Sequence, residues 1–254
     1  MNYLRSSLFA VLMASTALGG PIELQIDELN SHADVQLCLT LTSTVCDADT
    51  TPLAGSISVS LGYPPGPSDI SLHDFTFQFT QDVTLDLDFT GVGAFNSTGR
   101  NIEVAYADPG NPLAPVSVIG DAFTFTAVPV DTAGQLEYEA THGICTLFTL
   151  AGYSCNGAID LNMITLNPLD IDGTVVVSGN DVSLTLEMAL SAPIDPVNPG
   201  LGTFSINGTV LATGVIPEPT TLLLLGIGGA ALYHRRRTAP ESPCGAFRSP
   251  ARWI

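Results

Sequence analysis

Lysine is missing altogether from this 254-residue sequence. Its basic residues are seven arginines, and Arg5, Arg235, Arg236, Arg237, Arg248 and Arg252 all lie towards the two ends. Of the 25 acidic residues, all but Glu218 and Glu241 fall between Gly20 and Val215, where Arg100 is the single basic side chain. An acidic stretch of this kind repels nucleic acid and anionic lipid, so no nucleic-acid partner is expected. Charge of either sign is scarce, at 13% of residues against 45% hydrophobic, which excludes a disordered chain and predicts a packed core.

Other absences narrow the chemistry. Gly-x-Ser-x-Gly, His-Glu-x-x-His and phosphate-binding glycine loops do not occur, and His32, His73 and His142 show no repeated ligand spacing. No catalytic set is read, and a non-enzymatic protein is expected. A hydrolase working through an Asp/Glu pair from distant strands has no local signature and stays as an alternative. The one tryptophan is Trp253. A carbohydrate-binding or adhesion module, a second alternative, would have to stack sugars on Tyr63, Tyr106, Tyr138 or Tyr153. No apolar run reaches the ~20 residues of a comfortable transmembrane helix.

What is present begins with Arg5 followed by the apolar run Leu8–Leu18 and the small residues Ala17 and Gly19. Position, flanking charge and small-residue exit predict a signal peptide over residues 1–19, export through the Sec translocon, and an oxidising compartment.

Residues 20–215 read as strands. Val35, Leu37, Leu39 and Leu41 alternate with polar residues, as do Ile57, Val59 and Leu61. From Phe75 to Phe89 the odd positions are apolar except Gln81 and the even positions are polar, which predicts a hairpin turning at Gln81-Asp82. Asn96-Ser97-Thr98-Gly99 reads as a turn, Asp108–Pro112 as a loop, and Ser178–Asp181 as a tight turn. Ile144–Leu150 and Ile159–Leu166 read as further strands, and no window carries a helical period. The fold class expected is all-β: an antiparallel β-sandwich-like exported domain over 20–215, with a split into two small domains near Pro109–Pro115 left open.

Cys38, Cys46, Cys145 and Cys155 form an even set, expected as two disulfides. Three connectivities are open. Loop closure favours Cys38–Cys46 and Cys145–Cys155, and the first requires a turn near Thr42-Ser43-Thr44. Asp86 with Asp88, and Asp170 with Asp172, sit at i and i+2, so each pair shares a strand face about 6–7 Å apart. They are candidate calcium ligands, weighed against a plain solvated face.

The C-terminal stretch combines Pro217-Glu218-Pro219, an apolar Leu222–Tyr233 run and Arg235-Arg236-Arg237 in fixed order. Leu222–Tyr233 makes only ~18 Å of helix at 1.5 Å per residue, and Pro219–His234 ~24 Å, against a ~30 Å hydrocarbon core. One short transmembrane helix is expected, with the arginines stopping transfer and the β-domain outside. These residues resemble the PEP-CTERM sorting signal in all three parts, over 216–237. The resemblance implies a precursor tethered in the inner membrane and handled by an exosortase-type sorting protease. That protease would recognise Pro217, Glu218 and Pro219 and find the tail retained by Arg235–Arg237. It would leave a domain at the envelope surface or in the extracellular matrix, associated with exopolysaccharide or biofilm. Residues 238–254 extend past the point where the family stops, as a cytoplasmic or artefactual tail.

Overall fold

Alternation in sequence becomes alternation in burial. Along Val83–Phe89 every apolar side chain is buried and every polar one exposed. The same rule builds the rest of the chain, because one face of each strand must leave water. The computed structural model describes residues 20–216, apart from 42, 64, 65, 151, 164–167 and 196. Among these residues the elements are β1 (Ile22–Ile26), β2 (His32–Thr40), β3 (Thr44–Gly62), β4 (Asp69–Phe79), β5 (Val83–Phe89), β6 (Gly93–Tyr106), β7 (Val116–Ser117), β8 (Ala122–Val128), β9 (Val130–Ala140), α1 (His142–Leu150), β10 (Asn156–Asp160), β11 (Leu169–Ser178), β12 (Asp181–Pro193) and β13 (Gly202–Val215). The expected signal peptide, transmembrane helix and tail lie outside the described residues. Among the described ones no helix is long and apolar enough to cross a membrane.

The fold is all-β and every ladder is antiparallel. The strands do not divide into two separate sheets, as a sandwich would have them. They join in one 13-stranded sheet running β10-β9-β6-β4-β3-β1-β13-β12-β11-β8. Phe95 and Leu136 near one end and Phe125 and Val175 near the other belong to the same buried cluster with Phe75 and Phe77. A sheet with one greasy face can do this only by curling over on itself. The β6–β9 ladder pairs strands on either side of the 108–115 loop, so that loop does not separate two domains.

Two strand lines explain how the sheet is assembled. The first is β1 and β2 end to end: Ile22–Gln25 and His32–Thr40 lie along β3 on one side, and Gln25–Ile26 and His32–Leu39 along β13 on the other. The interruption is stitched by Ser31. Its hydroxyl donates to the Leu211 carbonyl at 3.2 Å and accepts the Leu211 N–H at 2.9 Å, while the Ser31 carbonyl accepts from Leu53 N–H at 3.0 Å.

The second line is β4 and β5, and it corrects the expected hairpin. The chain does not reverse at Gln81-Asp82. Thr76–Gln78 pairs with Ala105–Glu103, and Val83–Phe89 pairs with Gly99–Gly93, in one monotonic register along β6. The odd-position pattern lapses at exposed Gln81 and resumes in the same phase at Val83, because this is a kinked line, not a hairpin.

The kink leaves the far edge of β5 without a strand partner among the described residues. Asp49 and Asp47, on the half-buried inward side of β3, fill that role: their Oδ2 atoms accept the N–H groups of Thr84 at 2.9 Å and Asp86 at 2.7 Å. Inward-pointing charge is a device for blunting an exposed strand edge.

Three further readings need correction. Asn96–Gly99 is not a turn but lies within β6, between β5 and β9, where pairing on both sides overrides local turn preference. Ile144–Leu150 belongs to helix α1, with Ile144 and Phe148 buried four residues apart on one face. Of Ile159–Leu166, the described residues form the end of β10 and a short 3₁₀ turn at Leu161–Met163, and the rest of that expected strand lies outside the described residues. The Ser178–Asp181 turn is a two-residue hairpin loop with Gly179 at φ 66°, a conformation glycine adopts at no steric cost.

Candidate functional site

The cysteines are joined as Cys38–Cys46 and Cys145–Cys155. Cys38 and Cys46 are directly opposite in the β2–β3 ladder, with Cα atoms 4.1 Å apart. The chain reverses between Thr40 and Thr44, which lie opposite each other, as this pairing requires. Cys145 on α1 and Cys155, one residue before β10, tie the helix to the sheet with Cα atoms 4.8 Å apart.

The four aspartates proposed as calcium ligands lie on outward faces in two different places. Asp86 and Asp88 are exposed on β5, and Asp86 lies opposite Asn96 of β6. Asp170 and Asp172 are exposed on β11, where each holds the neighbouring β8 region. Asp170 Oδ1 accepts from Ala127 N–H at 2.8 Å, and Asp172 Oδ1 accepts from the Thr124 hydroxyl at 2.6 Å. Around the second pair the sheet gathers His32 and Asp34 of β2, Glu187 of β12 and Asn207 of β13 into an open cleft of about 440 Å³. Glu187 lies directly opposite Asp172, and Asp34 directly opposite Asn207. The small residues Ala189 and Gly208 also line the cleft. Among the described residues no group of three or more His, Cys, Asp or Glu side chains is placed to hold a metal ion. Sequence reasoning did not bring His32, Asp34 or Glu187 to Asp170 and Asp172, because strand order across a sheet leaves no local signature.

A polar clasp was also missed. Tyr153, just beyond α1, donates its hydroxyl to Asp195 Oδ2 in the β12–β13 connection. Asn198 Nδ2 donates to both, at 3.1 Å to the Tyr153 oxygen and 3.0 Å to Asp195 Oδ2. The Asp195 bond raises the Tyr153 pKa above its usual value, and the Tyr153 and Asn198 donors hold the Asp195 carboxyl below its own. A lowered carboxylate pKa stabilises the fold above the unfolded value of 3.8, and this is lost as the pH falls through the lower native value. A raised phenol pKa stabilises it below 10.0, and this is lost as the pH rises through the higher native value. Tyr153→Phe is therefore expected to destabilise the protein most between these limits, with the difference from the wild type narrowing towards both extremes. Urea unfolding at acidic, neutral and strongly alkaline pH checks this.

The remaining tyrosines divide. Tyr106 is buried and donates to the Asn111 carbonyl at 2.8 Å, and Tyr138 stacks on Phe95 with centroids 5.5 Å apart. Tyr63 is 47% exposed.

Pro217, Glu218, Pro219, Arg235, Arg236 and Arg237 lie outside the described residues. The described chain runs up to them: Val215 lies opposite Asp181, and Ile216 N–H donates to the Asn180 carbonyl at 2.8 Å. Residues 215–237 match the family model of the PEP-CTERM protein-sorting motif. No curated protein matches the chain.

Proposed function

We propose, from the premise that this chain carries a PEP-CTERM protein-sorting motif at residues 215–237, that it is a non-enzymatic protein of the cell surface or extracellular matrix. The motif supports export and surface sorting through exosortase-type machinery. The finer reading is a precursor held at the inner membrane by the tail and then processed, whose acidic β-domain takes a structural or exopolysaccharide-associated place in a biofilm or envelope matrix.

The observation that carries this reading is the motif itself, adjoining a disulfide-bonded β-domain. Support for a matrix role comes from the domain's outer surface. Its exposed positions carry carboxylates, such as Asp86, Glu139, Asp172 and Glu187, which favours a hydrated, self-repelling protein. A carbohydrate-stacking module has weaker support, because Tyr106 and Tyr138 are engaged in the core and Tyr153 in the clasp.

The test compares wild-type cells with cells lacking the sorting protease. The expected result is a full-length, membrane-bound form in the mutant only. Identical size and location in both would overturn the reading. Glycan-array binding and a hydrolase screen on the released domain separate the matrix role from the two alternatives.

A further inference from the structure

The folded domain has no spacer before its sorting motif. Strand β13 is paired to its last residue, with Val215 opposite Asp181 and Gly214 opposite Val182. One residue further, Ile216 N–H still bonds the Asn180 carbonyl at 2.8 Å, and its side chain packs against the core. Pro217 follows immediately. The strand end is also closely flanked: a Cβ added at Gly214 would lie 2.6 Å from Leu24 Cδ2 and 2.7 Å from the Glu23 carbonyl oxygen of β1.

A protease binds its substrate as an extended segment on either side of the bond it cuts. Residues already paired in a sheet cannot present their N–H and C=O groups to a second partner. Residues 212–214 and the N–H of Ile216 are withheld in this way for as long as the sheet is closed. Local opening can expose them, and cutting then follows the population of the open form.

We infer that the closed sheet gates tail processing. The sorting protease cuts C-terminal to Ile216, on a domain that has already folded, and the pairing that pins Val215 and Ile216 sets the processing rate. This rests on the sorting reading above. In the cut itself one peptide C–N bond breaks. The carbonyl carbon takes the oxygen of water or the amine or hydroxyl of an acceptor, and the proton that nucleophile gives up goes to the new α-amino group of the tail. Because β13 pairs with β12, β1 and β2, a cut at this place leaves the sheet whole, whereas one within β13 would remove pairing from three strands.

The experiment follows full-length chains in a host that carries the sorting protease, by pulse–chase and by the mass of the released domain. Three forms are compared: wild type, a short Gly-Ser spacer inserted between Ile216 and Pro217, and a form with Pro217, Glu218 and Pro219 all changed to alanine. Non-reducing electrophoresis confirms that both disulfides form in each. The wild-type product is expected to end at or beyond Ile216, and the spacer to speed processing about tenfold, the factor that corresponds to ~1.4 kcal/mol of opening. A product ending upstream of Ile216, or a spacer without effect on rate, overturns the gate. Processing of the alanine form at the wild-type rate overturns the sorting reading beneath it.

Discussion

Gly55→Ala is expected to destabilise the protein by about 3 kcal/mol or more, the largest loss from an added methyl group among the described glycines. Gly55 sits in β3 where the strand passes from pairing with β2 to pairing with β1 and β4. Its φ is 130°, in a region side chains avoid, and an added Cβ would fall 2.0 Å from the Thr76 carbonyl oxygen. That oxygen belongs to the backbone of β4, so it cannot swing aside as a side chain would. Moving it means moving the ladder in which Ser56 faces Thr76 and Leu53 faces Phe79. Gly66 supplies the control: its φ is 138°, but nothing lies within 4 Å of an added Cβ. Gly66→Ala therefore carries the backbone strain without the collision. Denaturant midpoints for both variants separate the two, and equal losses would show that the close approach at Gly55 is not what demands glycine.

The second large effect is Phe77→Ala, expected to cost ~3–5 kcal/mol. Phe77 is wholly buried, stacks on Phe75 with ring centroids 4.5 Å apart, and lies between Gly55 on one neighbouring strand and Val104 on the other. The strands around it are paired on both sides, so the cavity has little freedom to collapse. Leu29→Ala, at a side chain 95% exposed, is expected to fall within about 0.5 kcal/mol of the wild type. Thermal or urea unfolding of the purified protein checks both, and a Phe77→Ala loss near that of Leu29→Ala would place the core elsewhere.

How far the sequence could be read depends on the range of each interaction. The inward face of Phe75–Phe89 was legible because alternation is a local signal, and Phe75, Phe77, Val83, Leu85 and Leu87 are all buried as it requires. The direction of the chain after Gln81 was not legible. A reversal and a kink leave the same alternation, and only the partner strand β6 decides between them. Asn96–Gly99 misled for a related reason: turn-forming residues become strand when β5 and β9 hold both edges. Helix α1 was hidden by its shortness, since nine residues carry only about two and a half repeats of a helical period. The sorting motif could be read in full because its parts are contiguous. The cleft around Asp172 could not, because His32 and Asp34 come from the start of the domain and Glu187 from near its end. The Tyr153–Asp195 clasp joins two loops and follows no spacing rule.

The first strand line and the last strand are neighbours, with Gln25 opposite Thr213 and Ile26 opposite Ala212. In a chain synthesised from its N-terminus, this adjacency acts as a clock. Once β3 has been made, β1 and β2 gain one partner, but their other edge stays open until β13, the last described strand, has followed. Throughout that wait Val35, Leu37 and Leu39 form a sticky row, and a slip of one residue would turn it to the wrong side. The Cys38–Cys46 bond needs only the β2–β3 hairpin, so it can close early and fix the register before the second partner exists. On this view the bond serves the newborn chain more than the finished one: it is a bookmark that keeps the place until the last strand arrives.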